Sequence, residues 1–303
     1  MRLENSAYIK TKSIVDKECE TLKNKKRYLY FLLILLVGLL PAVFHNQTYL
    51  ILLMCTSAIY IVAVSGLDIL FGYSGQISLG HAAFYAIGAY TSAILSTKLG
   101  IMPWVTMILG GIVAAIIAIL IAIPTVKLVH HFLALVTIGF GQIVYIFVGN
   151  ADGLTNGYSG ITFIPDFKIG SFSFDTTLKY FYVAFFIMLI FLFIKQKIVK
   201  SRIGRAFIAI RENTPAANSS GINVRYYKVM AFAISAFYTG IAGAMYAHFI
   251  NFVSPQTFVF SKSVLFIIML LLGGKGNLFG PMVGSVVLTV VIQYLQGIGS
   301  YQG

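Results

Sequence analysis

Residues 49–81 read YLILLMCTSAIYIVAVSGLDILFGYSGQISLGH. The stretch Tyr49–Leu67 carries no charged side chain, and about 20 apolar residues are what an α-helix needs to cross the hydrocarbon core of a bilayer. Asp68 then ends the run, and Gly72, Ser74, Gly75, Ser78 and Gly80 follow closely. A glycine costs about 1 kcal/mol against alanine inside a helix, so Leu70–His81 reads as a break between two spans. Irregular backbone at membrane depth survives only where protein or water satisfies the freed polar groups, and broken helices line substrate routes in transporters. The candidate translocation path is therefore Gly72, Tyr73, Gly75, Gln76, Ser78, Gly80 and His81. An ordinary interfacial turn is the competing reading. Asp68 is expected to reach the inner interface or to cap the helix that restarts.

The same apolar pattern recurs along the 303 residues. Hydrophobic residues make up 58% of the chain and charged residues 10%, and the mean hydropathy is +0.88. A soluble domain carries about a quarter charged residues, so this chain cannot clothe a water-facing surface, which excludes a soluble enzyme. Apolar runs at Tyr28–Phe44, Tyr49–Leu67, Ile77–Thr97, Trp104–Ile123, Phe132–Gly149, Leu178–Ile194, Val229–Ile250, Thr257–Gly273 and Met282–Ile298 predict an all-α polytopic membrane protein of about nine transmembrane helices. The eighth run is the weakest, because Lys262 leaves only Ser263–Gly273 uninterrupted; it reads as a re-entrant or broken helix. Residues 1–27 form a retained cytoplasmic tail, too acidic at Glu4, Asp16, Glu18 and Glu20 for a signal peptide, and 28–303 the transmembrane domain.

Charge placement sets the orientation. With the N-terminus inside, the inner segments hold 18 of the 22 Lys and Arg residues, leaving Lys98, Lys168, Lys179 and Lys262 outside, as the positive-inside rule requires. The basic excess is thus explained without a nucleic-acid partner. Residues 150–177 form an extracytoplasmic loop with a glycine-rich start, and 195–228 a cytoplasmic one. Within the latter, Ile203, Phe207 and Ile210 share a helical face while Arg202, Arg205 and Arg211 occupy the others. Thr214-Pro215 ends or restarts the helix and Gly221 marks a turn. This short amphipathic helix is expected to lay its apolar face in a groove on a cytoplasmic partner, with membrane lipid as the weaker alternative.

Stripes of small residues, Gly110-Ala114-Ala118-Ala122 and Ala231-Ser235-Thr239-Gly243-Ala247, are read as helix-packing surfaces. His81 and His248 are intramembrane ionisable groups, each expected to be a neutral imidazole bonded to a neighbouring helix. Cys19 and Cys55 cannot join a polar tail to an apolar run, and no metal framework exists. Gly273 and Gly276 repeat the spacing of Gly72 and Gly75, read as two glycine-rich turns on the inner face rather than a duplication.

Gly72–Phe84 with Gly88-Ala89-Tyr90, Gly204–Asn213 followed by Ala216-Ala217 and Gly221-Ile222, Leu272–Pro281, and Gly153–Gly157 together resemble the permease subunits of high-affinity branched-chain amino acid ABC transporters. The resemblance runs in order from about residue 50 to the end. It implies a second related permease, two cytoplasmic ATPase subunits that bind ATP and Mg, and an extracytoplasmic binding protein, in a bacterial cytoplasmic membrane. The coupling role falls on Gly204, Arg205, Phe207, Ile210, Arg211, Glu212 and Gly221. No Gly-Lys-Ser/Thr nucleotide loop occurs in this chain, so ATP hydrolysis is assigned to the partners and the chain itself is expected to hold no cofactor. Similar permeases usually continue into a further hydrophobic helix after the region matching Tyr294–Gly303, so either the sequence is truncated or this member lacks that span. Permeases of this type carry other solutes as well, so urea or short amides stand beside the amino acids. An ion-coupled secondary transporter is the alternative, and it would need acidic residues in mid-span, where only Asp68 qualifies. An intramembrane enzyme finds no His-Glu-x-x-His motif and no carboxylate pair at depth.

Overall fold

The computed structural model describes Gly38, Pro41 and residues 47–126, 130–170 and 172–299. The chain divides into two units, Met1–Leu50 and Ile51–Gly303. Of the first, apart from Gly38 and Pro41, only 47–50 are described, where Leu50 N donates to Gln47 O at the start of helix α1. The cytoplasmic tail and, apart from Gly38 and Pro41, the first expected span fall outside the described residues.

The second unit is built from helices. α1 (Thr48–Leu67) is buried at every residue from Ser57 to Leu67 and runs on as a π-helical segment, Asp68–Tyr73. There follow α2 (His81–Lys98), α3 (Pro103–Thr125), α4 (His130–Asn150), the single turn α5 (Asp152–Thr155), α6 (Thr177–Lys200), α7 (Arg202–Glu212), α8 (Thr214–Ser219), α9 (Val224–Ile250), α10 (Phe260–Gly273) and α11 (Gly280–Gly299). Among the described residues six helical stretches are long and apolar enough to cross a membrane, against the nine crossings expected: 48–73, 103–125, 132–150, 177–200, 224–250 and 255–273. α2 is not one of them. His81 and Lys98 at its ends, with its Gly, Ser, Thr and Tyr residues, lower its apolarity, and most of it is enclosed by protein. The eighth run becomes a 3-10 turn (Pro255–Phe258) and the 14-residue α10; α10 alone covers about 21 Å at 1.5 Å per residue, so the preceding turn is needed for the 255–273 stretch to approach the ~30 Å hydrocarbon layer.

The core is a three-helix crossing of α2, α3 and α9. Gly110, Ala114, Ala118 and Ala122 are all buried, as are Ala231, Ser235, Thr239, Gly243 and Ala247, so the small-residue stripes do pack helices. A Cβ on Gly240 would lie 2.7 Å from the Ala114 Cβ, and one on Gly110 would lie 2.7 Å from the Gly88 carbonyl oxygen. Backbones this close gain dispersion contacts that larger residues would forbid.

Residues 150–177 are folded against the helix ends. Two-residue strands β1 (Ile161–Thr162), β2 (Lys168–Ile169), β3 (Phe172–Ser173) and β4 (Phe252–Val253) form two antiparallel pairs, β1 with β4 and β2 with β3. His248 staples this loop down. Its Nδ1 lies 2.7 Å from the Pro165 carbonyl, which can only accept, so in the neutral ring Nδ1 carries the hydrogen and Nε2 accepts from the Ser92 hydroxyl at 2.8 Å. Asn251 adds bonds to Ile164 O and to Asp166 Oδ1. Phe167 is packed between Trp104 and His248, at 4.6 and 4.9 Å.

Gly240→Leu is expected to lower stability by about 1–3 kcal/mol, the cost of overpacking a close crossing. Gly139→Leu, at a position where an added Cβ meets nothing within 4 Å, should melt close to the parent. Thermal unfolding of the three proteins in detergent checks the ordering.

Candidate functional site

At the opposite end of the bundle four separated segments converge on Asp68. Its side chain is fully buried, and Oδ2 forms an ion pair of 2.7 Å with Lys195 Nζ, itself fully buried on α6. Oδ1 accepts from the Gly276 N–H at 2.7 Å. Lys195 also donates to the Asn277 carbonyl at 3.3 Å and lies 5.9 Å from the Tyr73 ring centre. Asp68 is therefore enclosed by protein and does not cap α2. Lys195, counted in the sequence as a cytoplasmic loop residue, belongs to a helix that continues to Lys200 and spends its charge inside the protein. Burying one of these charges alone costs several kcal/mol, whereas a paired and hydrogen-bonded set is tolerated.

The two glycine-rich segments meet here, Gly72 against Gly276. A Cβ on Gly72 would sit 2.6 Å from the Gly276 nitrogen, so only a bare backbone lets the 274–279 turn approach the π-helical segment. Arg211 closes the arrangement: Nη1 donates to the Gly72 carbonyl at 2.6 Å, while Nε and Nη2 hold Glu212 Oε1 at 3.1 and 2.6 Å. Gly75, at φ +73°, lies against the Arg211 side chain.

After Tyr73 the chain is irregular until His81, and its polar groups are satisfied by other helices. Gln76 Nε2 donates to Lys228 O at 3.2 Å and Ser74 Oγ at 2.6 Å. Leu79 N donates to Thr137 Oγ1 at 3.0 Å, Ala82 N to Ser263 Oγ at 2.8 Å, and His81 Nε2 lies 2.8 Å from Ser235 Oγ. The break is thus real and protein-lined. The residues expected to border a pathway, Gly72, Tyr73, Gln76, Ser78, Gly80 and His81, are buried in helix packing, with Gly75 half-buried, so in this conformation they face protein. Gly80 illustrates this, since a Cβ there would meet the Thr137 carbonyl at 2.8 Å.

α7 also corrects its expected use. Ser201 caps it by accepting from Ile203 N at 3.1 Å, and Asn213 caps α8 by accepting from Ala216 N at 3.0 Å. The apolar face does not await a partner: Gly204, Phe207 and Ile210 are buried in this chain, with Phe207 edge-on to Tyr227 at 6.3 Å. The reason is that the helix ends of this same bundle supply the apolar surface. What stays exposed is the charged face, Arg202, Arg205, Arg211 and Glu212, with Gly221 at an exposed turn, φ +80°. Beside it a cleft of about 450 Å³ is lined by Thr214, Pro215, Asn218 and Arg225 among others. Sequence reasoning missed Lys195, Asn277 and the Arg211–Gly72 bond; the one available signal was an aspartate at a span edge with no nearby counter-charge.

Replacing Asp68 or Lys195 singly, by Leu or Met, should destabilise the protein by about 3–5 kcal/mol, because the remaining charge is stranded; the Asp68→Leu/Lys195→Met double variant should recover most of that loss. Melting temperatures of the singles and the double decide it, and additive losses would speak against a paired role.

Residues 49–302 match the family model described as branched-chain amino acid transport system / permease component. The high-affinity branched-chain amino acid transport system permease protein LivM of Escherichia coli is 34% identical over 266 residues, covering 80% of this chain and 63% of the relative, and its Salmonella typhimurium counterpart is 33% identical over the same lengths. The permease LivH of Salmonella typhimurium is 28% identical over 250 residues, 76% of this chain and 80% of the relative. The chain thus spans somewhat under two thirds of the length of the LivM proteins, and no solved structure matches it. With a match over most of its length and a polytopic helical fold, the chain belongs to the branched-chain amino acid transport system permease family.

Proposed function

We propose that this chain is the membrane-spanning permease subunit of an ATP-driven importer in a bacterial cytoplasmic membrane, and that its solute is a branched-chain amino acid. Its N-terminus and the Asp68 junction lie on the cytoplasmic side, the 150–177 loop outside, and the full complement of crossings is about nine. A second related permease completes the pathway, an extracytoplasmic binding protein delivers the solute, and two cytoplasmic ATPase subunits bind ATP and Mg and supply the energy. The names of the relatives support the substrate class, and the basic surface of residues 201–228 supports the orientation.

The observation that carries the coupling reading is Arg211. It belongs to a helix whose apolar face, Phe207 and Ile210, is anchored in the bundle, and its guanidinium holds the Gly72 carbonyl at 2.6 Å. A push on the exposed face of α7 by closing ATPases therefore reaches the break between α1 and α2 through one charge-assisted bond. Gly204 lets α7 turn tightly on the end of α6 at Val199, and Arg202, Arg205 and Glu212 remain for the ATPase. An ion-coupled carrier is less well supported, since the one carboxylate within the described spans is already neutralised by Lys195.

In the assembled transporter, leucine uptake should require ATP and persist when the proton gradient is collapsed. Arg202→Glu/Arg205→Glu should weaken co-purification with the ATPase by roughly tenfold or more, the loss of two charged contacts. Arg211→Ala should leave that association intact and lower uptake per ATP hydrolysed. Uptake driven by an ion gradient without ATPase subunits would overturn the proposal.

A further inference from the structure

At the loop end of the bundle a half-buried cation, Lys262, is held by a hydroxyl and aromatic rings and by no carboxylate among the described residues. Lys262, in the first turn of α10, donates to the Tyr60 hydroxyl at 2.8 Å and lies 4.9 Å from the Tyr60 ring centre and 6.0 Å from that of Tyr246. Lys197 and Lys275 likewise lie over rings, of Phe193 and Phe71, but neither lines the cleft beside Lys262. Lys195 and Lys179 are ion-paired with Asp68 and Asp175, and Lys98 donates to the Gly153 carbonyl. Among the described residues no carboxylate pairs with Lys262. Tyrosine faces stabilise an ammonium but do not neutralise it, so this half-buried charge calls for an anion.

Space for one is present. A cleft of about 410 Å³ opens beside Lys262, lined by Gln256, Thr257, Val259, Ser261 and Leu265. Its wall is polar at Gln256, Thr257 and Ser261 and apolar at Val259 and Leu265. Behind Lys262, Tyr246 packs on Tyr85 at 5.8 Å, and the Tyr85 hydroxyl is buried with no hydrogen-bond partner. α10 begins at this cleft without a side-chain cap, and the partial positive charge of its N-terminus adds to the ammonium.

We propose that this cleft is a carboxylate site, in which Lys262 receives the α-carboxylate of a small apolar amino acid and Val259 and Leu265 meet its aliphatic side chain. The inference rests on the amino-acid reading of the transport function. A single ammonium with polar neighbours suits one carboxylate, and the mixed wall suits an aliphatic remainder.

The test uses the assembled transporter with Cys19 and Cys55 changed to Ser and with Ser261→Cys as a reporter labelled by N-ethylmaleimide. Leucine should slow labelling, whereas leucinol, which lacks the carboxylate, should not. Adding Lys262→Gln should raise the leucine concentration giving half-protection by roughly tenfold or more, the loss of a charge-assisted hydrogen bond. Lys262→Arg, which keeps the charge, should retain most of the protection. In a complex that takes up leucine, labelling indifferent to leucine, equal protection by leucinol, or protection unchanged by Lys262→Gln would each overturn the site and leave the transport reading standing. Carboxylate-dependent protection in a complex that takes up no leucine would sustain the site and overturn the transport reading instead.

Discussion

A buried aspartate facing a buried lysine constrains the whole junction. Asp68 and Lys195 are both fully enclosed and 2.7 Å apart, and neither charge could be left inside without the other. The carboxylate needs further donors, and the nearest is the N–H of Gly276. That donor arrives only if the 274–279 turn lies against the π-helical segment, which requires Gly72 to have no side chain, while Gly276 itself holds a φ of +73° that favours glycine. The ion pair also sets the position of α6, whose last turns must extend past the apolar run to deliver Lys195. One electrostatic requirement fixes how α1, α6 and the α10–α11 turn meet.

Much of this was legible in the sequence, and what was not has a common cause. Apolar runs announce helices because a lipid-exposed backbone must satisfy itself locally. The Gly-Ser cluster after Asp68 announces a break for the same reason, and the small-residue stripes announce close crossings. All three signals are local. The Asp68–Lys195 pair joins residues 127 positions apart, and nothing near Lys195 marks it as internal: it stands at the end of an apolar run, where a snorkelling cation would look the same. α7 shows the limit in another form. Its periodicity gave the helix and the apolar face correctly, but an amphipathic pattern says that one face is covered without saying by what, and Phe207 and Ile210 turned out to be covered by this chain.

The two ends of the bundle are held by different chemistry. At the loop end the buried bonds are mostly neutral: His248 to Pro165 and Ser92, Asn251 to Ile164, and a packed column of Trp104, Phe167 and Tyr180, with charged groups entering at the partly buried Asn251–Asp166 bond, the exposed Lys179–Asp175 pair, Lys98 and Lys262. The neutral contacts are short-ranged and weakly dependent on surrounding charge. At the junction the bonds are charged, with Asp68, Lys195 and Arg211 within one cluster, where a change in neighbouring charge is felt through a medium of low dielectric.

Between the ends, the crossing of α2, α3 and α9 has little room to deform, since Gly88, Gly110 and Gly240 already bring backbone against backbone. Packed cores of this sort move as units rather than bending smoothly. On the proposed coupling, displacement at α7 reaches α9 through Phe207 against Tyr227, the π-helical segment through the bond from Arg211 to Gly72, and, through Asp68, Gly276. Gly276 sits in a turn whose other glycine, Gly274, also has a positive φ of 93°, and that turn joins α10 to α11. Because Lys262 lies at the far end of α10, a single helix of 14 residues connects the charged junction to the cation at the loop end. The same ion pair that fixes the junction therefore bears on the position of the proposed carboxylate site, through the shortest rigid element available.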